Sequence, residues 1–308
     1  MYELIIIGGG PAGAAAAVYA ARKQLKTALI TDAFGGQSQD SEEIYNWIGT
    51  KAISGQQLAK DLKDHVYDYE GEYLTIIEKN RTTAVSQNSD GHFDITTSSG
   101  DTYTTETILV ASGSSRRKLD IPGADTYENK GVVYCASCDG PLFADMDVIV
   151  VGGGNAGFES AAQLLAYTKS VTLLHRSAQF KADPVTVEKV LAHPNMKALT
   201  NAEPVEIHGE AMMTGVTYKD KTTGETHHLE AQGVFVEIGQ IPNTDYIVDL
   251  VDTNPSHNII IDPRNQRSSC DGIWAAGDVT DGLYHQNNIA AGDAVKALED
   301  IYLYLKAK

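Results

Sequence analysis

The hydrophobic pattern opens with a short apolar run at 3–7, closed by GGGPAG at 8–13. An alanine-rich stretch at 14–21 follows, then a second apolar run, TALIT, ended by Asp32. Apolar run, glycine turn, strong helix formers and apolar run again predict a βαβ unit. The same order returns with 148–151, GGGNAG at 152–157, ESAAQLLAYTK at 159–169 and VTLLHR at 171–176. Between and after these units, 92–113 and 212–239 alternate apolar with polar residues around Gly-rich turns. Each predicts a β-meander that returns to a buried strand. GIWAAGD at 272–278 reads as one more parallel strand, and 289–306 as a closing amphipathic helix.

The expected fold is therefore α/β, with two Rossmann-like dinucleotide-binding domains, each carrying a β-meander. The second is inserted into the first, so the domains are 1–115 with 245–308, and 116–244, with linkers near 114–123 and 241–244. A chain of 308 residues has room for about two such domains.

Charge narrows the partners. Lys and Arg number 24 against 41 Asp and Glu, a formal charge of −17. Such a surface repels nucleic acid and anionic membranes. No apolar run approaches the roughly 20 residues of a membrane helix. The N-terminus, MYELIIIGGG, shows neither a basic region nor a cleavage site. The expectation is a cytoplasmic protein that binds neither nucleic acid nor membrane.

Gly8, Gly10 and Gly13 form G-x-G-x-x-G between a strand and a helix. The spacing gives a tight turn, close backbone approach to a pyrophosphate and helix N–H groups facing the anion. Asp32 ends the next strand at the distance expected of a ribose-binding acid. Gly152, Gly154 and Gly157 repeat the motif, but the following strand ends in His175 and Arg176. Without the acid, Arg176 and Lys181 can contact a 2′-phosphate, which favours NADPH over NADH.

CASCDG at 135–140 holds two of the three cysteines. A structural zinc needs four Cys or His ligands in paired spacing, and no second pair exists, so no metal is expected. Three cysteines make no secreted disulphide framework either. A dithiol that carries electrons remains the best reading of Cys135 and Cys138, with Asp139 placed to carry a proton to a thiolate. Two dinucleotide folds and one dithiol describe a path from nicotinamide to flavin to disulphide. Cys270 reads as an ordinary loop or core thiol.

These motifs, together with FGGQ at 34–37, YNWIG at 45–49, ILVASGSSRRKLDIPG at 108–123, CASCDGPLF at 135–143, HRSAQFKAD at 175–183, GVFVEIGQIPNT at 233–244 and GIWAAGDV at 272–279, run along essentially the whole chain. In them the chain resembles the low-molecular-weight thioredoxin reductases, and nearly equally the flavoprotein component of the alkyl hydroperoxide reductases. The resemblance implies FAD in the domain made of the two chain ends, near Gly8, Gly10, Gly13, Asp32, Gln37, Asn46, Asp278 and Gln286. It implies NAD(P)H in the inserted domain, a homodimer, and a hinge that turns the inserted domain. It makes Cys138 the thiol nearer the flavin, Cys135 the one that attacks the substrate disulphide, and Asp139 the acid/base. The implied activity is an FAD-dependent, NAD(P)H-linked reductase of thioredoxin or a thioredoxin-like protein.

Departures from the family pattern open two alternatives. Arg176 is kept, but Ser177 and Lys181 stand where thioredoxin reductases carry arginines, and Gly157 replaces a common alanine of NADP-linked members. Glu237 occupies a usually apolar or small position, His285 a usual arginine and Tyr45 a common glutamate. The alternatives are a ferredoxin- or flavodoxin-linked thioredoxin reductase and an NADH-linked reductase of a peroxiredoxin system.

Overall fold

The computed structural model describes residues 1–41 and 43–307. The chain divides into two compact units, Met1–Ser115 with Ile241–Lys308, and Arg116–Gln240. The linkers themselves pair as a two-stranded ribbon, Ser114–Arg116 with Gln240–Pro242.

The first unit is built on a seven-stranded sheet. Leu74–Glu78, Thr27–Phe34, Tyr2–Gly9 and Thr102–Val110 lie side by side and parallel. The outer edge of Thr102–Val110 is shared. Its first half pairs antiparallel with Phe93–Thr97, which pairs in turn with Thr82–Gln87. Its last three residues pair parallel with Ile273–Ala275, so the returning chain end completes the sheet. The central strand LIII is buried on both faces, as expected of a parallel strand covered by helices and loops. On one face the alanine-rich helix Pro11–Arg22 packs with the C-terminal helix Asn287–Lys306 through Ala294, Ala297, Leu298 and Ile301. Small residues let the backbones approach closely, and Trp274 fills the space beneath. The other face is covered by Ile247, Val251 and Ile259.

The second unit has a five-stranded parallel sheet in the order Met196–Leu199, Ser170–Leu174, Asp147–Val151, Gly233–Val236, Val132–Val133. Helix Asn155–Leu164 covers one face through Phe158, Ala161 and Leu164. A separate three-stranded antiparallel sheet, Ala202–Gly209, Met213–Asp220 and Thr226–Glu230, covers the other through Ala202, Met213 and Val216. Two Rossmann-like sheets and their meanders are thus present. The second meander starts ten residues before the expected 212, because its first strand carries Pro204 next to a register shift. Proline is tolerated in a strand at such an irregularity. Among the described residues no helix is long and apolar enough to cross a membrane.

Candidate functional site

Strand Tyr2–Gly9 runs into the first glycine loop, and helix Pro11–Arg22 leaves it with Gly10 as N-cap. Pro11 sits where its missing N–H removes no helical hydrogen bond. No side chain caps this helix, so its first-turn N–H groups stay open to an anion. The glycines have separate duties. Gly8 has φ +116°, and a Cβ there would overlap the Ala111 carbonyl. A Cβ on Gly13 would overlap the Gly8 carbonyl, so Gly13 sets how closely helix and strand pack. A Cβ on Gly10 would enter open space, its nearest neighbour being Gly36 Cα at 4.0 Å.

That space belongs to a cavity of about 340 Å³, within the usual range of small-molecule sites. Of the residues expected at the flavin, Gly8, Gly10, Asp32, Gln37 and Asp278 line it. Gly13 lies behind the loop. Asn46 and Gln286 are outside the lining and hydrogen-bond each other, Asn46 Nδ2 donating to Gln286 Oε1 at 3.0 Å. The lining also contains Ser112, from the motif at 108–123, and Arg81, Thr82, Tyr246 and Asn287, which no sequence motif marks. Tyr246 donates to Ser112 Oγ at 3.0 Å, and burial raises its pKa well above the ordinary phenol range. Ser38 Oγ donates to Asn287 Oδ1 at 2.8 Å and ties the loop after the second strand to the C-terminal helix.

Two buried polar atoms test the fit of a flavin. Gln37 Nε2 donates to the Ser114 carbonyl at 2.6 Å, while Gln37 Oε1 is buried without a partner among the described residues. Thr82 Oγ1 is buried in the same condition. Buried polar atoms are nearly always hydrogen-bonded, so these two call for a ligand with matching donors and acceptors. A flavin dinucleotide has ring N–H, ribityl hydroxyls and a pyrophosphate for them, for the uncapped helix and for the Arg81 charge. The residues present fit the group.

In the second unit Gly154 caps helix Asn155–Leu164, again with no side-chain cap, and a Cβ there would meet nothing within 4 Å. A Cβ on Gly157 would overlap the Gly152 carbonyl, repeating the first loop's packing. His175 is buried; its Nε2 lies 2.8 Å from the Gln179 carbonyl, and its ring lies under Gly153 and beside Phe180. Arg176 and Lys181 are exposed on the segment after strand Ser170–Leu174. The Lys181 N–H donates to the Gly153 carbonyl at 2.8 Å, and Asn155 Oδ1 accepts from the Asp183 N–H at 2.8 Å, so this segment is bound to the glycine loop.

Cys135 and Cys138 form a disulphide with Cα atoms 5.3 Å apart. It follows strand Val132–Val133, at the carboxyl edge of the parallel sheet where such folds place their ligands. Cys135 caps the short helix Ala136–Asp139, its sulfur accepting from the Cys138 N–H at 3.2 Å. Both sulfur-bearing residues and Asp139 are half-buried, near enough to water for exchange. Cys270 is free, and burial raises its thiol pKa, which disfavours the reactive thiolate. Among the described residues no group of three or more His, Cys, Asp or Glu is arranged to hold a metal ion.

Residues 2–294 match the family model of pyridine nucleotide-disulphide oxidoreductases. The chain belongs to this family. Membership implies a flavin and a pyridine nucleotide. A Bacillus subtilis protein named NADH dehydrogenase is 38 % identical over 304 residues, 99 % of this chain and 58 % of its own length. The F component of alkyl hydroperoxide reductase from Staphylococcus aureus is 39 % identical over the same share of this chain and 59 % of its own. The chain thus spans under two thirds of the length of these curated relatives. Solved structures cover it fully. A thioredoxin reductase from Streptococcus pyogenes superposes with a TM-score of 0.89 at 33 % identity, over 100 % of this chain and 99 % of the other. One from Giardia duodenalis gives 0.90 at 29 %, over 99 % and 98 %. The pyridine nucleotide-disulphide oxidoreductase fold and the Cys135–Cys138 disulphide therefore stand together in one chain.

Proposed function

We propose that this chain is an FAD-dependent disulphide reductase that passes electrons from NAD(P)H, through the flavin, to Cys135–Cys138 and on to thioredoxin or a thioredoxin-like protein. The observation that carries this reading is the half-buried disulphide at the carboxyl edge of one Rossmann sheet, in a chain whose other Rossmann unit holds a cavity with unpartnered Gln37 and Thr82 atoms. The first unit binds FAD and the inserted unit, 116–244, binds the nucleotide and bears the dithiol. The enzyme is read as a cytoplasmic homodimer.

The flavin supplies the step that turns a hydride into electrons a disulphide can accept. The protein's own groups do the rest. The open N–H groups after Gly10 hold the pyrophosphate, Asp32 accepts from ribose hydroxyls, and Gln37 and Thr82 satisfy the ring and ribityl chain. Gly152, Gly154 and Gly157 cradle the second nucleotide, with Arg176 and Lys181 at the 2′-phosphate of NADPH. Two electrons and two protons open Cys135–Cys138. Cys135 thiolate attacks the substrate disulphide and forms a mixed disulphide, releasing one substrate thiol. Cys138 thiolate then attacks Cys135 Sγ, frees the second thiol and restores the starting disulphide. Asp139 carries the protons exchanged at Cys138.

A second reading has its own support. The curated relatives at 38–39 % identity are named for NADH and for alkyl hydroperoxide reduction, which favours an NADH-linked reductase of a peroxiredoxin system. Coupled turnover with NADPH and NADH, each against a thioredoxin and a peroxiredoxin, separates the two. The primary reading requires thioredoxin turnover that disappears in Cys135→Ser. Turnover with the peroxiredoxin alone, driven by NADH, refutes it in favour of the second.

A further inference from the structure

In the second sheet the chain leaves the central strand Asp147–Val151 toward Ser170–Leu174 and Met196–Leu199, then crosses back to Gly233–Val236 on the other side. The reversal lies between Asp147–Val151 and Gly233–Val236, and such a switch point opens the crevice in which open α/β sheets bind ligands. Two residues leave its floor. Gly152 follows one strand and Glu237 the other, and they touch: a Cβ on Gly152 would overlap the Glu237 carbonyl. Glu237 side-chain Oε1 accepts from Ser160 Oγ at 2.6 Å, from the helix that the glycine loop starts.

We propose that Glu237 is a specificity-determining residue that senses the charge of the nicotinamide ring, favouring the oxidised nucleotide when its carboxyl is ionised and losing that preference when protonated. The inference rests on Gly152–Gly157 being the nicotinamide-nucleotide loop. The oxidised ring is a cation and the reduced ring is neutral, so a carboxylate at the switch point acts on one and not the other. Hydride departure creates that cation, so the same charge assists the forward step.

Burial raises the Glu237 pKa to about 7, against the Ser160 hydrogen bond and the Arg116 charge, which lower it, and with a smaller upward push from Glu159. Facing groups on the packed elements are Arg116, which lies over the Tyr134 ring, Glu159 and Ser160 on the helix, and the Cys135–Cys138 disulphide beyond Val132–Val133. The disulphide does not titrate. The preference is therefore present above about 7 and lost as pH falls through it.

Equilibrium binding to the oxidised holoenzyme tests this without turnover. The probes are NADP⁺ and NAD⁺, and their tetrahydro analogues, whose rings are uncharged and give no hydride. The ratio of Kd for the cationic form to Kd for the neutral form should fall about tenfold from pH 6 to pH 8, the scale of one charge contact. Glu237→Gln keeps the shape and should flatten the ratio. Ser160→Ala removes a bond to the ionised form and should move the midpoint to higher pH. A Glu237→Gln enzyme that retains the pH-dependent ratio overturns the inference alone. Failure of every nucleotide to bind overturns the loop reading with it.

Discussion

Gly10 and Gly13 stand three residues apart in one loop, yet the structure predicts opposite consequences of adding a methyl group to each. At Gly13 the methyl would overlap the Gly8 carbonyl, so helix Pro11–Arg22 must move off the central strand. Overpacking of this kind costs about 1–3 kcal/mol, or roughly 2–12 °C of melting temperature for a unit of this size. At Gly10 the methyl has no neighbour closer than 4.0 Å, and the backbone, at φ −72° and ψ −172°, suits any residue. Gly10→Ala should therefore leave the flavin-free protein within about 0.5 kcal/mol of wild type. The same methyl occupies the space a pyrophosphate needs to reach the helix N–H groups. Losing one or two hydrogen bonds to a charged group removes about 1.5–3 kcal/mol each, or at least about tenfold in flavin affinity. Thermal melts of flavin-stripped protein, with FAD titrations followed by flavin fluorescence, measure both quantities. The reasoning fails if Gly10→Ala retains FAD as wild type does, or if Gly13→Ala melts with wild type.

Other consequences can be read elsewhere in the molecule. Asp300 Oδ2 accepts from Trp274 Nε1 at 2.9 Å and from Arg267 Nε at 2.6 Å, and Trp274 is fully buried. Asp300→Ala strands that indole N–H and should cost about 1–3 kcal/mol by urea unfolding, with Asp300→Asn milder; an unchanged midpoint refutes it. Arg176→Ala should raise KM for NADPH about tenfold while leaving NADH nearly unchanged, as expected of one phosphate contact; equal effects on both remove Arg176 from the 2′-phosphate. The Glu78 pKa is lowered chiefly by Lys63, whose Nζ lies 2.6 Å away. A depressed carboxyl pKa contributes stability that is present at neutral pH and lost as pH falls through the folded value. Lys63→Met should flatten the acid limb of the stability–pH curve, and a curve superposable on wild type counts against the pair.

Much of the fold was legible because Rossmann units write their constraints locally. In the loops at 8–13 and 152–157 the first and last glycines are each required by a close backbone contact, while the middle one borders open space, and that order survives as a fixed spacing. Asp32 lies near the end of strand Thr27–Phe34 and Gln37 three residues beyond it, so their approach to the cavity is also local. Arg81, Thr82, Tyr246 and Asn287 reach the same cavity from three remote segments with no pattern of their own. Only the shared edge of Thr102–Val110 and the returning chain end bring them together. The strand Ala202–Gly209 was hidden by Pro204, which argues against a strand until the register shift beside it is seen. His175 shows a different limit. The strand ends at Leu174, one residue before His175 rather than at Arg176, and the burial of His175 under Gly153 depends on how tightly the loop folds over it.

The electron route is tested most directly by anaerobic titration of the oxidised holoenzyme with NADPH and NADH, following the flavin absorbance and counting thiols after denaturation. The account predicts that one of the two nucleotides bleaches the flavin and that two new thiols appear per chain. In Cys138→Ser the flavin is still reduced, but the two new thiols do not appear. A flavin that neither nucleotide bleaches, or one that is reduced while Cys135–Cys138 stays oxidised, would contradict it.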